Sequence, residues 1–499
     1  MNLDKNEKQE SEIKNNIDEK ITLTSKPEEK EIEKSKFQNP EINKSYSLIS
    51  LDLLFQIIVA IITCLSTFLD GYLLIFIGYN STLLNQEWKV SPSLISLLEI
   101  MFHFNGALGG IISIPTCHFG NQIGMNFNII FAVLSLPIIL LLYNTKSYFC
   151  YLFCICYICL ANGHLYNIGT NLIINKFSVY SRGSIFALIY FFNQFGKCFF
   201  SYLIYKYMES GIKIILYTII PIIVVFLFQV IANLIMIILY FEKSKISIKR
   251  EKISHMNYIG KYYSLQLYNY VRFTKDKNEN FELYNWLLKC IIDLFIESPK
   301  LHEIILVIFN FTLGIQFYGM VTVFPLLKKP IPTIITNEIF FSKIFHTALL
   351  GTFTLIFVLY TLNAKICFSI ACLISLILNL SIMFNWFDTY WIIHFFRFVW
   401  NVSYVMCNLY CAEATLKKNR GTNTSFLYMI FKISCIIDIL IVDKMVQMSL
   451  FFPIAIDIFT LLFDVVLITK LKVETYFKTC KEIDMIIFAK IHEDESKNN

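Results

Sequence analysis

Apolar runs recur along the chain near residues 53–79, 93–115, 126–143, 149–171, 184–206 and 213–241, and again near 303–327, 341–362, 365–385, 389–411, 423–443 and 449–470. A hydrocarbon core of about 30 Å is crossed by about 20 residues of helix, so the pattern predicts an all-α integral membrane protein with twelve transmembrane helices. Residues 49–241 are expected to form an N-terminal six-helix bundle and residues 303–470 a C-terminal one. Between them, residues 242–302 form a polar, cytoplasmic linker whose later part, Phe281 to Phe295, is amphipathic and suited to lie on the membrane surface. Residues 1–48, rich in Lys, Glu and Asn, hold too little apolar surface to fold and predict a disordered cytoplasmic tail, and residues 471–499 a second tail. No charged, apolar and small-residue succession marks a signal peptide, so the first membrane helix is expected to target the chain.

The two sets of six helices repeat one another. The fourth run ends in Asn175-Lys176-Phe177-Ser178-Val179-Tyr180-Ser181-Arg182-Gly183 and the tenth in Glu413-Ala414-Thr415-Leu416-Lys417-Lys418-Asn419-Arg420-Gly421. The Arg-Gly pairs lie 238 residues apart, and at that offset Tyr166 falls on Tyr404 and Tyr190 on Tyr428. Matching halves in a membrane protein point to a transporter, in which one half rocks against the other around a central site.

Composition agrees with the helices: of 499 residues, 56% are hydrophobic and 16% charged, which excludes a soluble domain of this size. The net charge of +6 is spread over loops and excludes a nucleic-acid surface. Lys and Arg gather on the side that holds the linker, the Arg-Gly corners and the tails, so both termini are expected in the cytoplasm, with the plasma membrane or an organelle membrane around the chain. The loop from Cys117 to Asn126 departs from this rule, having no Lys or Arg, and the sequon at Asn80 lies close to a helix end on the opposite side. Most of the 14 cysteines sit inside apolar runs, where they pack as small hydrophobes. Cys150 and Cys154 share a helical face, but no His or carboxylate is spaced with them, so no metal or other cofactor is predicted.

Three stretches resemble the major facilitator superfamily, in its branch of sugar porters, organic-ion transporters and synaptic-vesicle-glycoprotein-like proteins. Tyr410-x-x-Glu413 followed by Arg420-Gly421 resembles Y-x-x-E-x-x-P-x-x-x-R-G, with Leu416 in place of proline. Arg182-Gly183 with Gln194 and Gly196 resembles the corresponding R-G followed by Q and G, with Asn175 and Ser178 where Glu and Pro are usual. Val473-Glu474-Thr475-Tyr476-Phe477-Lys478-Thr479-Cys480-Lys481-Glu482-Ile483 is similar to the ending P-E-T-K-G-K-T-L-E-E-I. Between Cys117 and Asn126 only Gly124 remains of the branch's G-x-x-x-D-R-x-G-R-K, and helix seven has Gln316 but not the paired glutamines of sugar porters. The resemblance implies a cavity lined by helices one, four, seven and ten, with three, six, nine and twelve toward lipid. It also implies a cytoplasmic gate at Arg182, Gly183, Glu413, Arg420 and Gly421: a latch between Glu413 and Arg420, or a static helix-end pair, with Arg182 having lost its partner.

Charges within the runs are costly unless paired or hydrated, so their positions are informative. Asp70, in an Asp-Gly-Tyr stretch similar to that of proton-coupled organic-anion symporters, is a candidate for proton coupling or for an internal ion pair with a cation such as Lys197. Glu99 and His103 share one face of helix two and form a second coupling candidate, or a structural pair. Arg397, Lys432 and Lys197 are candidate ligands for a carboxylate or phosphate substrate unless they neutralise Asp70 and Glu99. Tyr72, Tyr166, Gln316 and Tyr404 complete the expected lining. Asp457 and Asp464 break the lipid-facing pattern of helix twelve.

These residues predict a monomeric, proton-coupled secondary transporter for a small organic anion or zwitterion, such as a carboxylate or a vitamin acid like pantothenate. A facilitative sugar carrier and a nontransporting sensor on a transporter fold are the alternatives. No nucleophile motif, paired metal ligands or phosphate loop indicates an enzyme.

Overall fold

The computed structural model describes residues 40–118, 121–144, 147–207, 213–251, 291–292, 300–327, 349–358, 363–384, 386, 389–416, 419–449 and 451–471, with 473, 475, 478, 481–487 and 489. Residues 1–50 form one unit, of which only the helical stretch from Pro40 is described, and all packing below belongs to residues 51–499. The expected disordered tail before Pro40, most of the linker with its amphipathic part and the side chain of Asn80 lie outside the described residues.

Twelve helices of ten residues or more follow one another among the described residues: α1 (Pro40–Trp88), α2 (Pro92–His118), α3 (Asn121–Asn144), α4 (Tyr148–Lys176), α5 (Val179–Tyr207), α6 (Lys213–Glu251), α7 (Lys300–Leu327), α8 (Leu349–Val358), α9 (Ala364–Met383), α10 (Thr389–Glu413), α11 (Arg420–Met448) and α12 (Phe451–Lys470). Seven of them are long and apolar enough to cross a bilayer by length and composition alone. Two run past their apolar segments. α1 begins at Pro40, because proline is tolerated in a first helical turn and no Gly or Pro follows until Gly71. α6 continues ten residues past 241 through Glu242 to Glu251, a stretch free of helix breakers.

Exposed apolar stripes, the surface that lipid covers, mark α3, α6, α9 and α12, with shorter ones on α1 and α8. On α6 the stripe runs through Val224, Leu227, Phe228, Ile231, Leu234, Ile235 and Ile238, and on α9 through Ile366, Ile370, Leu373 and Ile377. α3 has Phe127, Ile130, Val133, Leu134, Leu140 and Leu141, and α12 has Phe459, Leu462, Phe463 and Val466. Asp457 and Asp464 lie on the other face of α12, 1% and 0% exposed, which resolves their conflict with the lipid-facing pattern.

Around this shell, α2 packs on α4 and α11, α7 on α11 and α12, and α9 on α10 and α12. The close approach of α2 to α4 requires glycine: a Cβ on Gly109 would stand 2.5 Å from Leu160 O, and one on Gly163 would stand 2.7 Å from Gly106 O. His164 adds a polar tie from α4, with Nδ1 at 2.7 Å from Asn128 Oδ1 on α3 and Nε2 at 3.2 Å from Thr116 Oγ1 on α2.

Candidate functional site

The corners come first, since they close one end of the bundle. α5 starts at Val179 and α10 stops at Glu413, so Arg182 and Glu413 meet at the ends of neighbouring helices. Arg182 Nε lies 2.8 Å from Glu413 Oε1, with side chains 2% and 9% exposed. Arg420, fully buried, donates from Nη1 to Asn175 Oδ1 at 2.9 Å and from Nη2 to Thr415 O at 3.1 Å. Arg182, expected to have lost its partner, has a carboxylate supplied by the other half, and Glu413 lies within the field of Arg420 as well. The physical reason is the packing of α5 on α10 and of α4 on α11, which turns each arginine toward the other half's helix end.

Gly421 sits where a Cβ would come within 2.7 Å of both Cys117 Cβ and Asn171 Nδ2, and Gly183 is buried. Ser113 of α2 donates to Ser425 of α11 at 2.7 Å. The segment after α12 lies across the same end: Leu471 O accepts from Lys365 Nζ at 2.6 Å, Val473 O from Tyr410 Oη at 3.0 Å and Lys478 O from Arg182 Nη2 at 3.2 Å. The stretch that resembles the branch's conserved ending is thus held by both halves.

Next inward is a layer of four tyrosines. The rings of Tyr166 and Tyr428 are 5.0 Å apart, those of Tyr190 and Tyr404 5.2 Å, and the hydroxyls of Tyr166 and Tyr190 are 2.5 Å apart. Between this layer and the corners is a cavity of about 20 Å³, lined by Tyr166, Asn167, Thr170, Asn408 and Tyr428, which has room for a water and little more.

Beyond the tyrosines lie the charges. Asp70 of α1 accepts from Lys432 Nζ of α11 at 3.1 Å and from Asn193 Nδ2 of α5 at 3.4 Å. The Asp70 side chain is 28% exposed, while that of Lys432 is 4% exposed. The Lys432 ammonium also lies over the rings of Phe102, at 4.9 Å, and Tyr428, at 5.2 Å. Lys197 Nζ lies 5.4 Å from the centre of the Phe317 ring and within the field of Arg397. Gln194 Nε2 donates to Asn401 Oδ1 at 2.6 Å, and Asn401 Nδ2 to Arg397 O, again at 2.6 Å. Arg397 is 6% exposed, and its Nε is fully enclosed with no acceptor among the described residues. His103 is buried on α2 within the field of Lys432, and Glu99, one turn away, is half-buried.

Two expected lining residues face elsewhere. Tyr72 packs against Phe76 and Phe200 and donates its hydroxyl to Thr218 O of α6 at 2.6 Å. Gln316 donates to Asp464 Oδ2 at 3.1 Å and to Thr460 Oγ1 at 3.2 Å, both on α12. Each satisfies a polar group within its own half. Conversely, Asn193 and Asn401 join the charged layer unanticipated; Asn401 lies one helical turn after Arg397, a spacing that puts both on one face.

No family model matches the chain, and no curated protein matches it in sequence. Solved structures do match in shape. The proton:xylose symporter XylE bound to 6-bromo-6-deoxy-D-glucose superposes with a TM-score of 0.64 at 12% identity, over 87% of this chain and 99% of that one. A double-tryptophan variant of XylE gives 0.57 at 14% identity, over 89% and 99%. FucP, a major facilitator superfamily transporter in the outward conformation, gives 0.57 at 13% identity, over 83% and 99%. The chain therefore has the all-α major facilitator fold. It is a multi-pass integral membrane protein.

Proposed function

We propose that this protein is a secondary transporter of the major facilitator superfamily, moving a small organic anion by alternating access with proton coupling. The observation that carries the reading is Arg397: a buried arginine whose enclosed Nε has no acceptor among the described residues, next to a second cation, Lys197. A guanidinium enclosed in low dielectric is strongly disfavoured without a countercharge. The carboxylate at hand, Asp70, is engaged by Lys432. A substrate carboxylate or phosphate, taken bidentately, supplies what Arg397 lacks. Asp70, the more exposed member of its pair, is the coupling residue in this reading, with Glu99 and His103 beside it. Tyr166, Tyr404 and Lys432 complete the lining in this reading. Arg182, Glu413 and Arg420 act as the cytoplasmic gate, and Gly183 and Gly421 allow its helices to close. The corner end is then cytoplasmic, both termini lie on that side, the division into bundles at 49–241 and 303–470 follows the repeat, and the protein works as a monomer in the plasma membrane.

A sugar carrier is the second reading. XylE is a xylose symporter, and the amide pair Gln194–Asn401 beside the stacked rings of Trp400 and Tyr404, 5.3 Å apart, offers sugar-binding chemistry. Counterflow in proteoliposomes separates the two. Labelled organic acids are expected to exchange, faster with an inward proton gradient, and Arg397→Ala is expected to abolish the exchange. Exchange of labelled sugars that survives Arg397→Ala would overturn the anion assignment.

A further inference from the structure

α12 carries two buried carboxylates in opposite circumstances. Asp464 accepts from Thr312 Oγ1 at 2.9 and 3.1 Å and from Gln316 Nε2 at 3.1 Å. Gln316 also donates to Thr460, and Thr460 donates to the backbone oxygen of Asp457 at 3.0 Å. The ladder thus reaches the backbone of Asp457, while the Asp457 side chain is 1% exposed and, among the described residues, has no donor to either oxygen.

The helices packed on α12 are α7, α9 and α11. α11 presents Asp438, buried and of like charge, which is the charge acting on Asp457 among the described residues. α7 presents Thr312 and Gln316, whose Oε1 is itself a buried acceptor without a donor. α9 presents Cys372 near Asp464. Among the described residues Asp457 therefore meets a like charge and no donor, and an ionised carboxylate there would be an uncompensated buried charge. What is missing is a cation, and the smallest one needs no further ligands. A proton neutralises Asp457 and turns one of its oxygens into a donor.

We infer that Asp457, together with Asp438, forms an exchangeable proton-binding site within α7–α12, separate from the charged layer at Asp70. The inference does not depend on the identity of the substrate, or on transport.

Infrared difference spectra of the full-length protein in lipid, recorded across a pH titration, test it through the C=O stretch of a protonated carboxyl group. The expected result is a band that shifts on exchange into deuterated water, persists in Asp70→Asn and disappears in Asp457→Asn. A band unchanged in Asp457→Asn overturns the inference. If that variant does not fold, Asp438→Asn serves: loss of the like charge is expected to weaken proton binding at the band's midpoint about tenfold, and an unmoved midpoint overturns the inference equally. A band that responds to added Na⁺ at constant pH identifies a metal cation as the ligand, and also overturns it.

Discussion

Glu413→Gln removes the countercharge of Arg182 while keeping the shape of the side chain. The pair is buried, with exposures of 2% and 9%, so solvent does not screen the loss. Removing one partner of a buried pair costs about 3–5 kcal/mol. The amide oxygen keeps one acceptor for the guanidinium, which puts the expected cost near the lower limit, about 3 kcal/mol. That cost falls on the state in which the corners touch. At about 1.4 kcal/mol per decade, the population with separated corners rises about 100-fold. Cys117 reports it, since its side chain is wedged against Gly421 and accepts from Asn171 at 3.8 Å. Maleimide labelling in detergent, followed by mass spectrometry of the peptide containing Cys117, is expected to accelerate by about the same two decades. The double change Arg182→Met with Glu413→Met removes the orphaned charge and is expected to recover most of the loss. Unchanged labelling of Cys117 in Glu413→Gln refutes the reasoning, and a double variant as open as the single one refutes the part that assigns the cost to an uncompensated arginine.

The complementary change, Asn175→Glu, offers Arg420 a carboxylate in place of the amide oxygen that stands 2.9 Å from its Nη1, and is expected to slow Cys117 labelling and transport together. Asp70→Asn removes the carboxylate that Lys432 meets; counterflow is expected to persist, while accumulation driven by a proton gradient is lost, as measured by paired uptake assays. Gly109→Ala places a methyl group 2.5 Å from Leu160 O and is expected to lower the unfolding temperature in detergent, whereas Gly78→Ala, with no atom within 4 Å of the new methyl, is expected to be neutral or to stabilise by about 0.5–1 kcal/mol through helix propensity.

The helices were legible because bilayer thickness converts directly into run length, and each described helix overlaps its apolar run. Their ends were less so, since α1 and α6 continue into polar residues that have good helix propensity and no breaker. The charged layer could be listed from the sequence but not paired. Depth along a helix indicates which charges share a level, whereas the partner depends on rotation: Asp70 goes to Lys432 and not to Lys197. Tyr72 and Gln316 show the same limit, since a residue on a cavity helix can face a lipid-facing neighbour instead, as these do toward α6 and α12.

The offset of 238 residues explains which contacts come in twos. It carries Tyr166 onto Tyr404 and Tyr190 onto Tyr428, so the contact of Tyr166 with Tyr428 and that of Tyr190 with Tyr404 are one contact made twice. It likewise carries Arg182 onto Arg420 and Glu413 onto Asn175, so the corner ion pair and the Arg420–Asn175 hydrogen bond are the same interaction with a carboxylate replaced by an amide. The charged layer has no such mates. Asp70 falls on Ile308, Lys432 on Gln194, Arg397 on Cys159 and Lys197 on Cys435. Symmetric contacts suit surfaces that must fit in two related arrangements as the halves rock. A solute with a charged end and a neutral end gains nothing from a symmetric lining, and recognition of it requires the duplicated positions to have diverged. The asymmetry is concentrated around Arg397, whose Nε has no acceptor among the described residues, which is where the proposed function puts the substrate.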